Sequence, residues 1–211
     1  MSHQRGAGAW DQDKFAEEVI SVVVSGHKGE ITVEKDEGIL PDISMDDLRR
    51  LQPVHKGGTV TAGNACQQND GASACLVVAE DQLDRHSLTP AMFLRGWAVA
   101  GCDPATMGLG PVPAVNKLFH KTGLSWKDID LVELNEAFAA QVLAVLREWG
   151  WDERDRLNVN GSGISLGHPV AATGGRILAT LANEMKRRDA HYGLETMCIG
   201  GGQGLAAVFQ R

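Results

Sequence analysis

The stretch DIDLVELNEAFAAQVLAVLREWG (residues 128–150) joins a strand pattern to a helix pattern with almost no loop between them. Residues 128–134 predict a buried strand. Behind them, apolar side chains recur at helical spacing, and Gly150 is typical of a helix C-terminus. The apolar set is Phe138, Val142, Val145, Leu146 and Trp149. A strand that leads into an amphipathic helix favours an α/β fold.

Strand and helix patterns alternate along the rest of the chain, most regularly after residue 91. We predict strands over residues 19–24, 31–35, 75–80, 92–101, 156–167, 194–200 and 204–211, with 25–30 as a turn. We predict helices over residues 2–18, 45–51, 81–86, 112–123 and 173–188. The alternation indicates layers of helices on a sheet.

Composition excludes several classes of function. A net charge of −7 argues against a general nucleic-acid binder. No apolar run approaches the length of a membrane span, and the first residues lack the apolar core of a signal peptide. The four cysteines show no C-x-x-C spacing, which leaves zinc and redox motifs unsupported. We therefore expect no metal site, no membrane or nucleic-acid partner, and free thiols in the cytoplasm.

Three side chains that could take part in catalysis lie where a predicted strand meets a turn or helix: Asn135, His168 and Cys198. Ligands bind at strand ends in α/β sheets, and a thiol near a histidine suggests nucleophilic or acid–base chemistry. Structural explanations compete with this one. Asn135 is also a candidate helix N-cap, His168 a residue of a tight turn between Gly167 and Pro169, and Cys198 a small buried hydrophobe.

Several motifs together resemble the thiolases, enzymes that make or cleave 3-ketoacyl-CoA thioesters. They are SHQR, TVTAGNACQQNDGASA, NEAFAAQ, NVNGSGISLGHPVAATGG and CIGGGQG, and the resemblance extends over essentially all 211 residues. It implies an acyltransferase, either an acetyl-CoA acetyltransferase or a 3-ketoacyl-CoA thiolase. The CoA thioester would be its substrate, and no cofactor is implied.

The resemblance assigns roles to four residues. His168 matches the histidine that activates the nucleophilic cysteine and helps form an oxyanion hole. Cys198 matches the second cysteine, which removes the α-proton of acetyl-CoA or protonates the leaving enolate. Asn135 matches a residue that holds a water at the first oxyanion hole, and Gly200 matches a backbone N–H donor of the second.

On the CoA-binding side, the resemblance points to Asn64, Ala65, Cys66 and Leu40. Cys66 stands where the family usually has a serine near the pantetheine. Leu40 stands where related sequences often carry an arginine at the nucleotide end of CoA, so a charge-assisted contact is missing. Ala171 replaces a common glycine.

The resemblance further implies a layered thiolase-like α/β fold with a five-stranded mixed sheet covered by helices. It divides the chain into a partial CoA-binding loop region (1–70), the last elements of the N-terminal half (71–91) and the C-terminal domain (92–211). The family's nucleophilic cysteine has no counterpart here. We therefore expect a fragment that is inactive alone in thiolysis, forming a homo-oligomer or associating with a complete thiolase.

Two other functions stay open at this stage. The missing nucleophile also suits a non-catalytic remnant that docks on a complete thiolase or another acyl-CoA protein. A glycine-loop nucleotide binder is disfavoured, because no G-x-G-x-x-G follows a first strand and no P-loop lysine is present.

Overall fold

A computed structural model describes residues 1–27 and 29–211, and strands and helices alternate through its C-terminal part. Lys28, in the predicted turn over 25–30, lies outside the described residues. In order, the elements are α1 (Ser2–Asp11), β1 (Val22–Gly26), β2 (Gly29–Val33), α2 (Met45–Arg50), α3 (Leu83–His86), β3 (Phe93–Gly101), α4 (Pro111–Thr122), β4 (Leu131–Leu134), α5 (Ala139–Trp149), α6 (Gly163–Leu166), α7 (Thr173–Arg188), β5 (Tyr192–Ile199) and β6 (Gln203–Gln210). Short 3-10 turns cover Glu80–Gln82, Pro104–Leu109 and Arg154–Arg156.

The main sheet is mixed, with the strand order β3-β6-β5-β4. β4 pairs with β5 in parallel, and the other two pairs are antiparallel. Parallel pairing places the carboxyl ends of β4 and β5 at the same edge of the sheet. That edge carries the candidate site.

Helices α4 and α5 supply much of the core because each presents an apolar stripe. α4 begins with Pro111, ends at Gly123 in a left-handed conformation (φ 75°), and buries Val115 and Leu118. Val142 and Val145 of α5 join the same core. Beside them, the Trp126 ring lies 4.8 Å from that of Trp149 and 5.1 Å from that of Trp151, centroid to centroid. This aromatic cluster packs the end of α5 against the loop between α4 and β4, which holds Trp126.

The sheet has four strands within the described residues, so the expectation of five is wrong by one. Within the described residues, the predicted strand over 156–167 joins the sheet through one isolated parallel bridge, between Val132 and Leu157. Asn158, at φ 46°, then turns the chain away from the extended conformation. Its side-chain amide takes the place of further backbone hydrogen bonds to β4. It accepts from Leu134 N–H and donates to Leu134 O, both at 2.8 Å. Residues 163–166 form α6 instead of strand.

Two N-terminal predictions are also corrected. The helix over 2–18 stops at Asp11, and Asp13 adopts a left-handed conformation (φ 56°), which interrupts a right-handed helix. The predicted buried strand over 75–80 has no strand pairing, and Leu76 and Val77 are 78% and 87% exposed. A cavity of about 820 Å³ lies between residues 74–78, β3 and α7, and these two residues help to line it.

The remaining elements lie near their predicted positions, including α2, α3, β3, β5 and β6. β1 and β2 form a separate antiparallel hairpin, exposed along both strands. Within residues 1–27 and 29–211, no helix combines the length and apolar composition needed to cross a bilayer. The division of the chain at residues 70 and 91 stays a prediction.

Candidate active site

The site begins at the shared carboxyl edge of β4 and β5. In this register Leu134 lies opposite Thr196, and the backbone N–H of Asn135 donates to Thr196 O at 3.1 Å. Asn135 therefore follows β4 directly, while Cys198 lies two residues beyond Thr196 on β5. Neighbouring strands lie about 4.8 Å apart, so the fold brings these two residues to one edge.

Asn135 has a buried side-chain amide that makes no hydrogen bond with the residues the structure describes. Its side chain is 0% exposed, and within the described residues neither Oδ1 nor Nδ2 makes a hydrogen bond. It is not a helix cap, because α5 begins at Ala139 with Phe138 at the N-cap position. A buried amide left unbonded is costly, and such groups are normally satisfied by an ordered water or a ligand. Asn135 thus has unused bonding capacity at the sheet edge.

α6 packs so closely on Asn135 that only glycine fits at position 163. A Cβ on Gly163 would lie 2.8 Å from Asn135 Oδ1 and 2.9 Å from Glu136 O. The Ile164 N–H also donates to Glu136 Oε2 at 3.3 Å. This contact fixes the segment that leads to His168.

His168 lies on the predicted tight turn between α6 and α7. Gly167 before it adopts φ 92°, and the His168 N–H donates to Gln67 O at 3.4 Å. The half-buried ring places Nδ1 2.7 Å from Thr173 Oγ1. Burial lowers the pKa of His168 below its ordinary value, and the positive charge of Arg176 lowers it further. The neutral form of the ring therefore predominates at pH 7.

The Cys198 thiol is half-buried near two other thiols. Burial raises its pKa above the ordinary value, and negative charge on Cys66 or Cys102 would raise it further. Cys198 is consequently a protonated thiol at neutral pH. A thiol of raised pKa is a good proton donor to a strongly basic carbanion, and its thiolate is a strong base.

Residues 64–66 run along the start of α5 and bring Cys66 towards the site. The Cys66 N–H donates to Ala137 O at 2.9 Å, the Ala139 N–H donates to Asn64 O at 2.8 Å, and Ala65 forms an isolated bridge with Phe138. The Asn64 amide is used within its own turn, since it accepts from Thr61 N–H and donates to Thr59 O. Asn64 and Ala65 therefore shape this segment.

Gly200 and Leu40 occupy open positions. Gly200 is exposed in the turn between β5 and β6, where an added Cβ would meet no atom within 4 Å. Leu40 is 51% exposed, and its N–H donates to Nδ1 of His3 at 3.2 Å, which ties it to α1. Its loop also reaches the site segment, because Gln67 Nε2 donates to Gly38 O at 2.8 Å.

A family model described as "Thiolase, C-terminal domain" matches residues 88–211, and one described as "Thiolase, N-terminal domain" matches residues 1–81. The chain belongs to the thiolase family. It is 48% identical to an acetyl-CoA acetyltransferase of Chromobacterium violaceum, over 100% of this chain and 54% of that protein. The chain thus spans about half the length of the curated relatives it matches.

Solved thiolase structures share the fold. The Bacillus anthracis acetyl-CoA acetyltransferase superimposes with a TM-score of 0.94 at 40% identity, covering 99% of this chain and 53% of that one. Human mitochondrial 3-ketoacyl-CoA thiolase in complex with CoA gives a TM-score of 0.89 at 44% identity, covering 99% and 52%. The expected thiolase-like α/β fold is confirmed.

The thiolase chain brings Asn135, Cys198, Cys66 and the backbone of His168 into one region, and leaves Leu40 on a loop attached to α1. Sequence reasoning missed Thr173 and Gln67. Thr173 had a usable signal, because a threonine at the first residue of a helix is placed to bond the preceding turn. Gln67 had none, since its partners, Gly38 O and Ile164 O, are distant in sequence.

The described residues, 1–27 and 29–211, contain no group of three or more histidine, cysteine, aspartate or glutamate side chains that could hold a metal ion.

Proposed function

We propose that this chain carries the part of a thiolase active site that acts on the α-carbon of an acyl-CoA thioester. The proposal rests on Asn135, whose buried amide has no hydrogen-bond partner among residues 1–27 and 29–211 and lies at the sheet edge that also holds Cys198. An amide in that state can hold a water against a developing enolate oxygen. The CoA complex of the human relative supports a CoA thioester as ligand.

In this proposal Cys198 is the acid–base residue. As thiolate it removes a proton from the acyl α-carbon, and the electron pair moves to the thioester oxygen to form an enolate. In the reverse sense the thiol returns the proton to carbon. Its raised pKa suits the second role especially, because a protonated thiol is the resting form.

His168 and the backbone of Gly200 complete the proposed site. The neutral imidazole takes a proton from a thiol and then offers it to a substrate oxygen. We place a second oxyanion at the N–H of Gly200, because this residue is exposed in the β5–β6 turn and an added Cβ there would meet no atom within 4 Å. Removing a single oxyanion donor in such sites slows reaction by about 10²–10³.

Complete thiolysis requires a cysteine that accepts the acyl group, and none of Cys66, Cys75, Cys102 or Cys198 matches it by resemblance. We therefore expect negligible thiolysis of acetoacetyl-CoA by this chain. The cytoplasmic location and the assembly, either as a homo-oligomer or with a complete thiolase, remain predictions.

The α-proton step can be tested without the acyl-accepting cysteine. Acetyl-CoA is incubated with the chain in D₂O, and deuterium entry into the acetyl group is followed by mass spectrometry. We expect exchange with the unsubstituted chain, loss with Cys198→Ala, and slowing of about 10²-fold with Asn135→Ala. Cys75→Ala, at an exposed cysteine, is the matched control and should exchange normally.

Two outcomes would contradict the proposal. Exchange that survives Cys198→Ala would remove Cys198 from the reaction. Absence of exchange despite CoA binding would favour the alternative, a non-catalytic acyl-CoA-binding remnant.

A further inference from the structure

Thr173 links the imidazole of His168 to the first turn of α7. Its side chain is 0% exposed, and its Oγ1 lies 2.7 Å from Nδ1 of His168 and 3.0 Å from Pro169 O. A carbonyl oxygen only accepts hydrogen bonds, whereas a hydroxyl can donate one and accept others. The arrangement therefore constrains where the protons lie.

Two proton arrangements are conceivable around this hydroxyl. In the first, Thr173 donates to Pro169 O and accepts from an Nδ1–H of His168. In the second, Thr173 donates to a bare Nδ1, so the ring proton is on Nε2. Pro169 O also accepts from the N–H groups of Ala172 and Thr173, so it is bonded in both arrangements.

The two arrangements differ in how many of these short contacts are hydrogen bonds. In the first, the hydroxyl proton lies between Thr173 Oγ1 and Pro169 O and the ring proton lies between Nδ1 and Oγ1, so both contacts are hydrogen bonds. The second leaves Thr173 Oγ1 and Pro169 O 3.0 Å apart with no proton between them, and two oxygen lone pairs that face each other at this distance repel. Threonine in a helix commonly bonds the carbonyl four residues back, as Thr173 does with Pro169.

We propose that Thr173 is a positioning residue that holds neutral His168 as the Nδ1–H tautomer and leaves the Nε2 lone pair free to accept a proton. The tautomer of a histidine is set by the hydrogen bond that its other nitrogen makes. The burial and the Arg176 charge described above keep the ring neutral, so that a lone pair exists to be held. The usefulness of this lone pair rests on the proposed function, but its existence does not.

The tautomer can be read directly in the substrate-free chain. Histidine labelled with ¹⁵N gives distinct ring signals for protonated and unprotonated nitrogens in a long-range ¹H–¹⁵N correlation spectrum at neutral pH. His168→Asn identifies the His168 signals among the seven histidines. We expect a protonated Nδ1 and an unprotonated Nε2.

Three variants separate positioning from folding. Thr173→Val keeps the shape and removes the hydroxyl, so the tautomers should become mixed. Thr173→Ser restores the hydroxyl and should restore the Nδ1–H form. Thr180→Val is the matched control, because Thr180 is equally buried on α7 and its hydroxyl also bonds the carbonyl four residues back, at Arg176.

An Nε2–H tautomer in the unsubstituted chain overturns the proposal, whatever the variants do. An unchanged Nδ1–H form in a folded Thr173→Val variant also overturns it. Failure of acetyl-CoA exchange would count against the proposed function alone, because the spectrum is recorded without substrate.

Discussion

Glu133 of β4 lies directly opposite Glu195 of β5 in the parallel ladder, and both side chains are buried. Burial raises the pKa of Glu195 to about 8, although the charge of Arg176 opposes the shift. Burial raises the pKa of Glu133 well above its ordinary value too; the charge of Arg176 opposes this shift, and neighbouring carboxylates, Glu195 among them, add to it. Burial therefore favours the protonated form of both carboxyl groups, and like charges directly opposite each other in a sheet are unfavourable.

This pair predicts a chain that loses stability as the pH rises. The folded pKa of Glu195 lies above the unfolded value of 4.5, so the folded state binds more protons between pH 4.5 and 8. Its stabilising effect is complete below pH 4.5 and is lost as the pH approaches 8. Glu195→Gln should therefore raise the free energy of unfolding by about 2 kcal/mol or more at pH 8, with little effect at pH 4.

Urea titrations at several pH values measure this difference. Glu148→Gln, at an exposed position of α5, is the matched control for the change from a carboxyl group to an amide. A Glu195→Gln variant that follows the same pH profile as the unsubstituted chain would show that Glu195 is ionised in the folded state.

Two buried asparagines near the end of β4 should differ in how much their truncation lowers the free energy of unfolding. Asn158→Ala removes the bonds to Leu134 N–H and O and should cost about 2–4 kcal/mol in the free energy of unfolding. Asn135→Ala removes no side-chain hydrogen bond and should change that free energy by less than about 1 kcal/mol. Equal losses in urea unfolding would contradict a free amide at Asn135.

Two glycines of the β5–β6 turn offer a similar contrast. A Cβ on Gly202, at φ 88°, would lie 2.6 Å from Cys102 O, so Gly202→Ala should destabilise the fold by about 2 kcal/mol or more. Gly200→Ala should leave thermal stability unchanged, because an added methyl meets no atom within 4 Å. It should nevertheless slow deuterium exchange into acetyl-CoA, because the methyl group would fill the open space through which a substrate oxygen approaches the retained N–H of residue 200. An unchanged exchange rate would show that the substrate does not enter this space.

The raised pKa of Cys198 predicts slow alkylation at neutral pH. Only the thiolate reacts with iodoacetamide, and the pKa of Cys198 is raised, so the rate should still be rising about tenfold per pH unit where an ordinary cysteine has already reached its plateau. Peptide mass spectrometry follows Cys198 and the exposed Cys75 in the same sample. Faster labelling of Cys198 than of Cys75 at pH 7 would indicate a thiolate instead of a thiol.

Local patterns predicted most of the fold where the sequence carries its own signals. The apolar stripe and Gly123 define α4, and the run before Asn135 gives β4. The strand prediction over 156–167 was wrong because the apolar content of these residues is typical of a strand. The conformation of Asn158 (φ 46°) and its side-chain hydrogen bonds to Leu134 depend on tertiary contacts, which a local pattern does not show. Residues 75–80 have the composition of a strand, but among the described residues they form no strand pairing, and Leu76 and Val77 are exposed.

The site was predictable in its residue types and less so in its protonation. Asn135, His168 and Cys198 follow from strand ends and from the resemblance to thiolases. The contact between His168 and Thr173 spans only five residues, yet its meaning depends on Pro169 O as a third partner. The pKa shifts come from burial and from Arg176, which a linear pattern does not show.

The aromatic cluster beside α5 allows unfolding to be followed by intrinsic tryptophan fluorescence. Three of the five tryptophans, Trp126, Trp149 and Trp151, lie in contact beside the helix that follows Asn135. Indole emission will therefore follow the loosening of the half of the molecule that holds the site and will scarcely register the exposed β1–β2 hairpin. Comparing emission with backbone circular dichroism during unfolding would separate these two regions without any added label.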